Sequence, residues 1–230
     1  MAERQVVMAR TNDIIRTFDR CLRMSTCRTW PYRHWLLTDI LPAPMAESVR
    51  VLPFAPADIA DTNGKRETHN GVRVFFSTEN CDRFLACREV ADAFQAKETV
   101  RLIEDVCGTT LDGSYLRIEY CQDQGDFWLE PHTDIGAKLF TMLIYLSDDE
   151  EGVPLGTDIY DGDLNLVGTA PYGFNRGLIF VPAADTWHGF RKRAIAGIRK
   201  SIIINYVKNE WRSRHELAFP AQPVRSLSRH

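Results

Sequence analysis

The stretch Glu130-Pro131-His132-Thr133-Asp134, followed by the apolar run Leu139-Phe140-Thr141-Met142-Leu143-Ile144-Tyr145-Leu146, decides the reading of this sequence. An imidazole and a carboxylate flank one threonine just ahead of a segment with strand character. Alternate side chains of a strand share a face, which puts His132 and Asp134 on one side with Cα atoms about 6–7 Å apart. Both can then reach one metal ion. His188, which follows the apolar run Gly177-Leu178-Ile179-Phe180-Val181, is the candidate third ligand. Two histidines and a carboxylate on one face of a metal leave its other positions open, which suits non-haem Fe(II) and oxygen chemistry. Singly, His132-Thr133-Asp134 and His188 are commonplace; their shared setting in a β-rich half joins them.

The chain has 230 residues, 44% of them hydrophobic and 26% charged, ordinary values for a globular protein. A net charge of −3 gives no basic nucleic-acid footprint. No apolar run approaches the roughly 20 residues that span a bilayer, and Met1-Ala2-Glu3-Arg4-Gln5 lacks the apolar core of a secretory signal. A cytoplasmic location is the expectation. Cys21, Cys27, Cys81, Cys87, Cys107 and Cys121 form no Cys-x-x-Cys pair and read as reduced packing thiols.

One domain is expected over 1–230: helical support over about 1–108, a β-rich core over about 109–210, and a loose, arginine-bearing tail over about 211–230. Thr11-Asn12-Asp13 reads as the cap of a helix over 11–24, with Ile14, Phe18, Cys21 and Leu22 at helical spacing. A short helix follows Pro42-Ala43-Pro44. Asp58–Asn70 reads as loop, and His69-Asn70-Gly71 as a turn into a strand over Val72–Phe76. Phe84 to Val106 carries the stripes of one long or two consecutive helices, closed by Gly108 as C-cap. Short β-rich runs then succeed one another: Tyr115–Tyr120, Phe127–Glu130, Lys138–Leu146, Asp158–Tyr160, Leu164–Val167, Gly177–Val181 and Ile202–Val207. Helices ahead of such a run argue for an α+β fold in which helices buttress an antiparallel sandwich or barrel.

Beyond His188 come Arg199 and Ser201, on one face of the strand that leads into Ile202-Ile203-Ile204. An arginine buried beside a metal cavity is costly unless it meets an anion, and a planar guanidinium matches a carboxylate. The residues therefore suggest a metal next to a carboxylate-binding arginine.

The pattern His132-x-Asp134, His188, Arg199-x-Ser201 resembles that of the Fe(II)- and 2-oxoglutarate-dependent dioxygenases. Tyr120–Gly125, Thr141–Leu146, Gly177–Phe180 and His188-Gly189-Phe190 are similar to segments of the prolyl-4-hydroxylase-like branch, so the likeness runs over about residues 115–207. It departs from that branch at Leu155-Gly156-Thr157-Asp158-Ile159, where a Gly-Gly-x-Leu element is usual. Arg199 also replaces the lysine of many prolyl hydroxylases.

The resemblance implies a double-stranded β-helix (jelly-roll) core buttressed by N-terminal helices. It implies Fe(II) held by His132, Asp134 and His188, with 2-oxoglutarate and O2 as cosubstrates. Arg199 would pair with the far carboxylate of 2-oxoglutarate; Ser201, Tyr120, Tyr145 and Thr141 would donate hydrogen bonds to it. The implied activity is hydroxylation of an unactivated C–H bond, coupled to conversion of 2-oxoglutarate to succinate and CO2. The retained Asp134 favours hydroxylation over halogenation. A small-molecule substrate is expected ahead of a protein side chain, with no nucleic acid or membrane partner. Two other readings stand: a cupin-like metal-binding protein without oxygenase activity, and a non-enzymatic β-sandwich. Arg199 and Ser201 argue against the cupin-like protein, which has no need of them.

Overall fold

Two antiparallel sheets face each other, and a layer of helices covers the outer face of the larger one. The computed structural model describes residues 2–56, 63–65, 72–147 and 154–227. The helices are α1 (Ala2–Met24), α2 (Ala43–Arg50), α3 (Thr78–Arg83), α4 (Leu85–Gln95) and α5 (Lys97–Cys107). Among the described residues the larger sheet runs β1 (Thr26–Arg28), β2 (His34–Thr38), β9 (Arg176–Phe180), β6 (Lys138–Tyr145), β11 (Ile195–Val207), β4 (Tyr115–Gly125) and β3 (Val74–Phe75). The smaller runs β5 (Leu129–His132), β10 (His188–Phe190), β7 (Asp158–Tyr160) and β8 (Leu166–Thr169).

The period of two along each central strand assigns its side chains to one of two cores. Leu116, Ile118 and Tyr120 of β4, Phe140, Met142 and Ile144 of β6, and Ile202, Ile204 and Tyr206 of β11 face the helices, where Phe18, Val90, Phe94 and Ile103 meet them. Leu143 and Tyr145 of β6 and Leu178 and Phe180 of β9 face the smaller sheet and pack on Phe127, Leu129, Ile159 and Phe190. The site lies in this second layer, between the sheets. At full burial each such Leu, Ile or Phe contributes about 1.5–3 kcal/mol, so both layers are needed to hold the sandwich closed.

Several boundaries differ from expectation. Helix α1 begins at Ala2, so Thr11-Asn12-Asp13 lies within it, and Asp13 accepts from Arg16 one turn on instead of capping. The long helical stretch is two helices, broken where Ala96 is extended (ψ 138°), and Gly108 closes α5 in the left-handed conformation at φ 70°. Strands β2 and β10 were not expected; the aromatic cluster around β2 divides, with Trp35 in the helix-side core, Tyr32 between the sheets and Trp30 exposed. The tail is not loose through residue 227. Leu217, Ala218 and Val224 are fully buried, and the amides of Ala218 and Val224 donate to Leu116 O and Ser114 O. The expected turn His69-Asn70-Gly71 and most of the Asp58–Asn70 loop lie outside the described residues. No helix among the described residues is long and apolar enough to cross a membrane.

Candidate active site

His132 closes β5 and His188 opens β10, and the two are register partners in that antiparallel pair. Their ring centres stand 4.4 Å apart. Each ring is tied to the backbone two residues upstream: His132 Nδ1 to Glu130 O at 2.8 Å and His188 Nδ1 to Thr186 O at 2.9 Å. A carbonyl oxygen only accepts, so Nδ1 carries the proton and Nε2 of the neutral ring presents its lone pair. Histidine metal ligands are oriented by this kind of bond.

Asp134 lies past the end of β5, in the loop before β6, so it does not share a strand face with His132 as the sequence suggested. Contacts from β6 hold it instead. Thr141 Oγ1 donates to Asp134 Oδ2 at 2.5 Å, and Lys138 Nζ makes a close bond to Oδ1. Burial pushes the Asp134 carboxyl up, but the Lys138 ammonium, His188 and the bonds from Lys138 and Thr141 outweigh it and hold it below the usual carboxylate range. Burial pushes His188 down to about 4 against the opposing pull of Asp134, which keeps its ring neutral.

Among the described residues no three His, Cys, Asp or Glu side chains are already drawn around a common point as metal ligands. The Asp134 oxygens are turned to Thr141 and to the Lys138 ammonium. The residues nonetheless fit Fe(II): two lone pairs of fixed tautomer and an ionised carboxylate whose present partner is itself a cation.

A cavity of about 130 Å³ opens beside these three residues and also reaches Arg199, Ser201 and Thr157. Ser201 is 1% exposed and its Oγ has no hydrogen-bond partner among the described residues. A buried hydroxyl left unpaired costs about 1–3 kcal/mol, so its presence on a cavity wall points to a ligand. Arg199 is 4% exposed, donates from Nε to Leu155 O at 2.6 Å and from Nη1 to Asp123 Oδ2 at 2.5 Å, and lies over the Phe190 ring.

The other expected cosubstrate contacts are placed differently. Tyr120 is on the helix side of β4, where its hydroxyl donates to Arg50 O at 3.1 Å, so it cannot touch the cavity. Its alternation with Leu116 and Ile118 already marked that face. Tyr145 neighbours Arg199, but its hydroxyl donates to Thr157 Oγ1 at 2.9 Å and accepts from Thr157 N at 3.0 Å. Thr157 rather than Tyr145 walls the cavity. Thr141 serves Asp134, while Asn205 Nδ2 donates to Thr141 Oγ1 at 2.9 Å and Arg117 Nη1 donates to Asn205 Oδ1 at 3.0 Å.

Asp123, Thr157, Lys138 and Asn205 were missed in the sequence. The signals were faint: Arg117, Glu119 and Asp123 fall at alternate positions of β4, opposite the face of Leu116, Ile118 and Tyr120, and all three are buried. The unusual Leu155–Ile159 element contains Gly156, where a Cβ would come within 1.8 Å of Ala170 O. Ala170, just past β8, packs directly on Gly156 and donates from its amide to Thr157 O at 2.8 Å, and Thr157 lines the cavity.

No protein-family model matches the chain. No curated protein matches it either. Solved structures do. A prolyl hydroxylase from Trichoplax adhaerens, solved with a peptide fragment of the hypoxia inducible factor oxygen degradation domain, superposes with a TM-score of 0.57 at 14% identity, covering 91% of this chain and 94% of that one. A prolyl-4-hydroxylase from Pseudomonas putida gives 0.52 at 13% identity, over 85% and 94%. Prolyl 4-hydroxylases from Phytophthora capsici give 0.55 at 10% identity, over 86% and 65%. The chain therefore has the α+β, double-stranded β-helix fold of these prolyl hydroxylases.

Proposed function

We propose that the protein is an Fe(II)- and 2-oxoglutarate-dependent hydroxylase in which His132, Asp134 and His188 hold the metal. The observation that supports this most is one cavity with two histidine Nε2 lone pairs and a carboxylate at one part and Arg199 with the unpartnered Ser201 Oγ at another. Bound together, Fe(II) and 2-oxoglutarate supply O2 activation coupled to decarboxylation to succinate and CO2. Thr141 and Asn205 orient Asp134, and the backbone bonds of the histidines orient their rings. Arg199 and Ser201 take the far carboxylate of 2-oxoglutarate. Leu143, Phe190 and Ile203 make the walls apolar and limit water in the cavity. The cupin-like reading leaves the Ser201 hydroxyl without a purpose.

The substrate in this reading is a small molecule presenting an unactivated C–H bond at the cavity mouth. Ile135, 57% exposed and directly after Asp134 in the chain, gives that mouth an apolar lip. A peptide substrate is the second reading, favoured by the peptide bound to the Trichoplax enzyme of the same fold.

Adding Fe(II) and 2-oxoglutarate together under anaerobic conditions should give a weak visible charge-transfer band that neither gives alone. Succinate should form on admitting O2. Absence of both the band and succinate would rule the reading out.

A further inference from the structure

Arg199 enters the site already neutralised. Asp123 stands directly opposite it in the register of β4 and β11, and each is 4% exposed. Asp123 takes Nη1, Leu155 O takes Nε, and the guanidinium carbon lies 4.6 Å from the Phe190 ring centre. Asp123 is not among the cavity walls, whereas its partner Arg199 is. What Arg199 offers a ligand is therefore its remaining N–H groups, two on Nη2 and one on Nη1, on a cavity that the Ser201 Oγ also lines.

A bare guanidinium in a dry pocket demands an anion, because a neutral ligand would leave its charge buried and unpaired. It would also grip a carboxylate through two parallel bonds. Here the Asp123–Arg199 pair is balanced before any ligand arrives. A second carboxylate makes two anions share one cation, which weakens its hold. A neutral polar group can accept from Nη2 and bond to Ser201 while the pair stays intact.

Resting on the 2-oxoglutarate reading above, we propose that Asp123 is a positioning residue that sets cosubstrate selectivity. By neutralising Arg199 it relaxes the demand for a second carboxylate, so the site also accepts 2-oxo acids whose far end is uncharged and polar. Nothing in this requires Asp123 to touch the ligand.

The test is equilibrium binding, by calorimetry on the Mn(II)-loaded protein, of 2-oxoglutarate and of its 5-methyl ester, in which an uncharged polar ester replaces the far carboxylate and the 2-oxo group stays free. The wild-type affinities should lie within about tenfold of each other. Asp123→Asn keeps the shape and removes the anion, and it should widen the preference for 2-oxoglutarate by about tenfold or more. A purely structural role would weaken both ligands in parallel and leave the ratio alone, which overturns the proposal. A wild-type preference for 2-oxoglutarate beyond about a thousandfold overturns it too, and that measurement decides the matter should the variant not fold. If the metal binds but neither acid does in the wild type, the oxygenase reading falls and this inference with it. Binding of both with an unchanged ratio in the variant removes the inference alone.

Discussion

Thr141 on β6 hydrogen-bonds Asp134 in the loop before it, donating from Oγ1 to Oδ2 at 2.5 Å. The threonine itself accepts from Asn205 Nδ2, so the carboxylate hangs on a buried chain that runs to Arg117 and from there to Glu216. A residue expected to touch a cosubstrate thus supports a candidate ligand. Thr141→Val keeps the shape and removes the hydroxyl. Metal affinity should fall about 10- to 100-fold, the usual loss when the partner of a ligand is removed. Titration of Mn(II) into the metal-free variant checks this, and an unchanged affinity would refute the supporting role.

Lys138 competes for the same carboxylate. Its ammonium bonds Asp134 Oδ1, so a metal must displace it or tolerate it as a neighbouring like charge. Lys138→Met should raise metal affinity about tenfold. The metal-free variant, left with a buried, less compensated Asp134, should lose stability. Paired metal titrations and urea unfolding measure both; weaker metal binding would mean that Lys138 helps to hold the site.

Acid should loosen the metal-free protein through His188. The unfolded chain takes up this proton near 6.5, whereas the buried ring does so only near about 4. Between those values the unfolded state holds more protons, so stability present above 6.5 is lost as pH falls towards 4. Asp134, also depressed, adds loss in the same direction at lower pH. Urea unfolding near pH 7 and near pH 5 should show the fall in wild type and a flatter dependence in His188→Gln. Equal slopes would remove His188 as the source.

Arg199→Ala should do more than weaken 2-oxoglutarate. It also breaks the buried ion pair with Asp123, both members being 4% exposed, which costs about 3–5 kcal/mol. Adding Asp123→Asn should recover part of that stability without restoring cosubstrate affinity. Thermal unfolding of the single and double variants decides between this and an Arg199 whose only task is ligand binding.

Tyr120→Phe should leave cosubstrate binding unchanged and cost about 1 kcal/mol for the lost bond to Arg50 O. A shift in 2-oxoglutarate affinity without loss of stability would contradict its placement on the helix side.

The fold class was legible because it is written in periodicity. Helical stripes such as Ile14, Phe18 and Leu22, and strand alternation such as Phe140, Met142 and Ile144, follow from which side chains must leave water. The candidate ligands His132, Asp134 and His188 were legible as residue types at suggestive places. β10 was not, because the three residues His188–Phe190 are too few to show a period. Tyr120 was misread, although its alternation with Leu116 and Ile118 carried the correct face.

What the sequence determined by itself is therefore local: element types, the buried face of each strand, and the presence of imidazoles, carboxylates and a guanidinium in the β-rich half. Only the tertiary structure decided their partners. Strand register sets His132 against His188 and Asp123 against Arg199, the latter pair separated by 76 positions in the chain. Register depends on turns and on the packing of two sheets and a helix layer at once, and a one-residue slip would turn every one of these side chains to the opposite face.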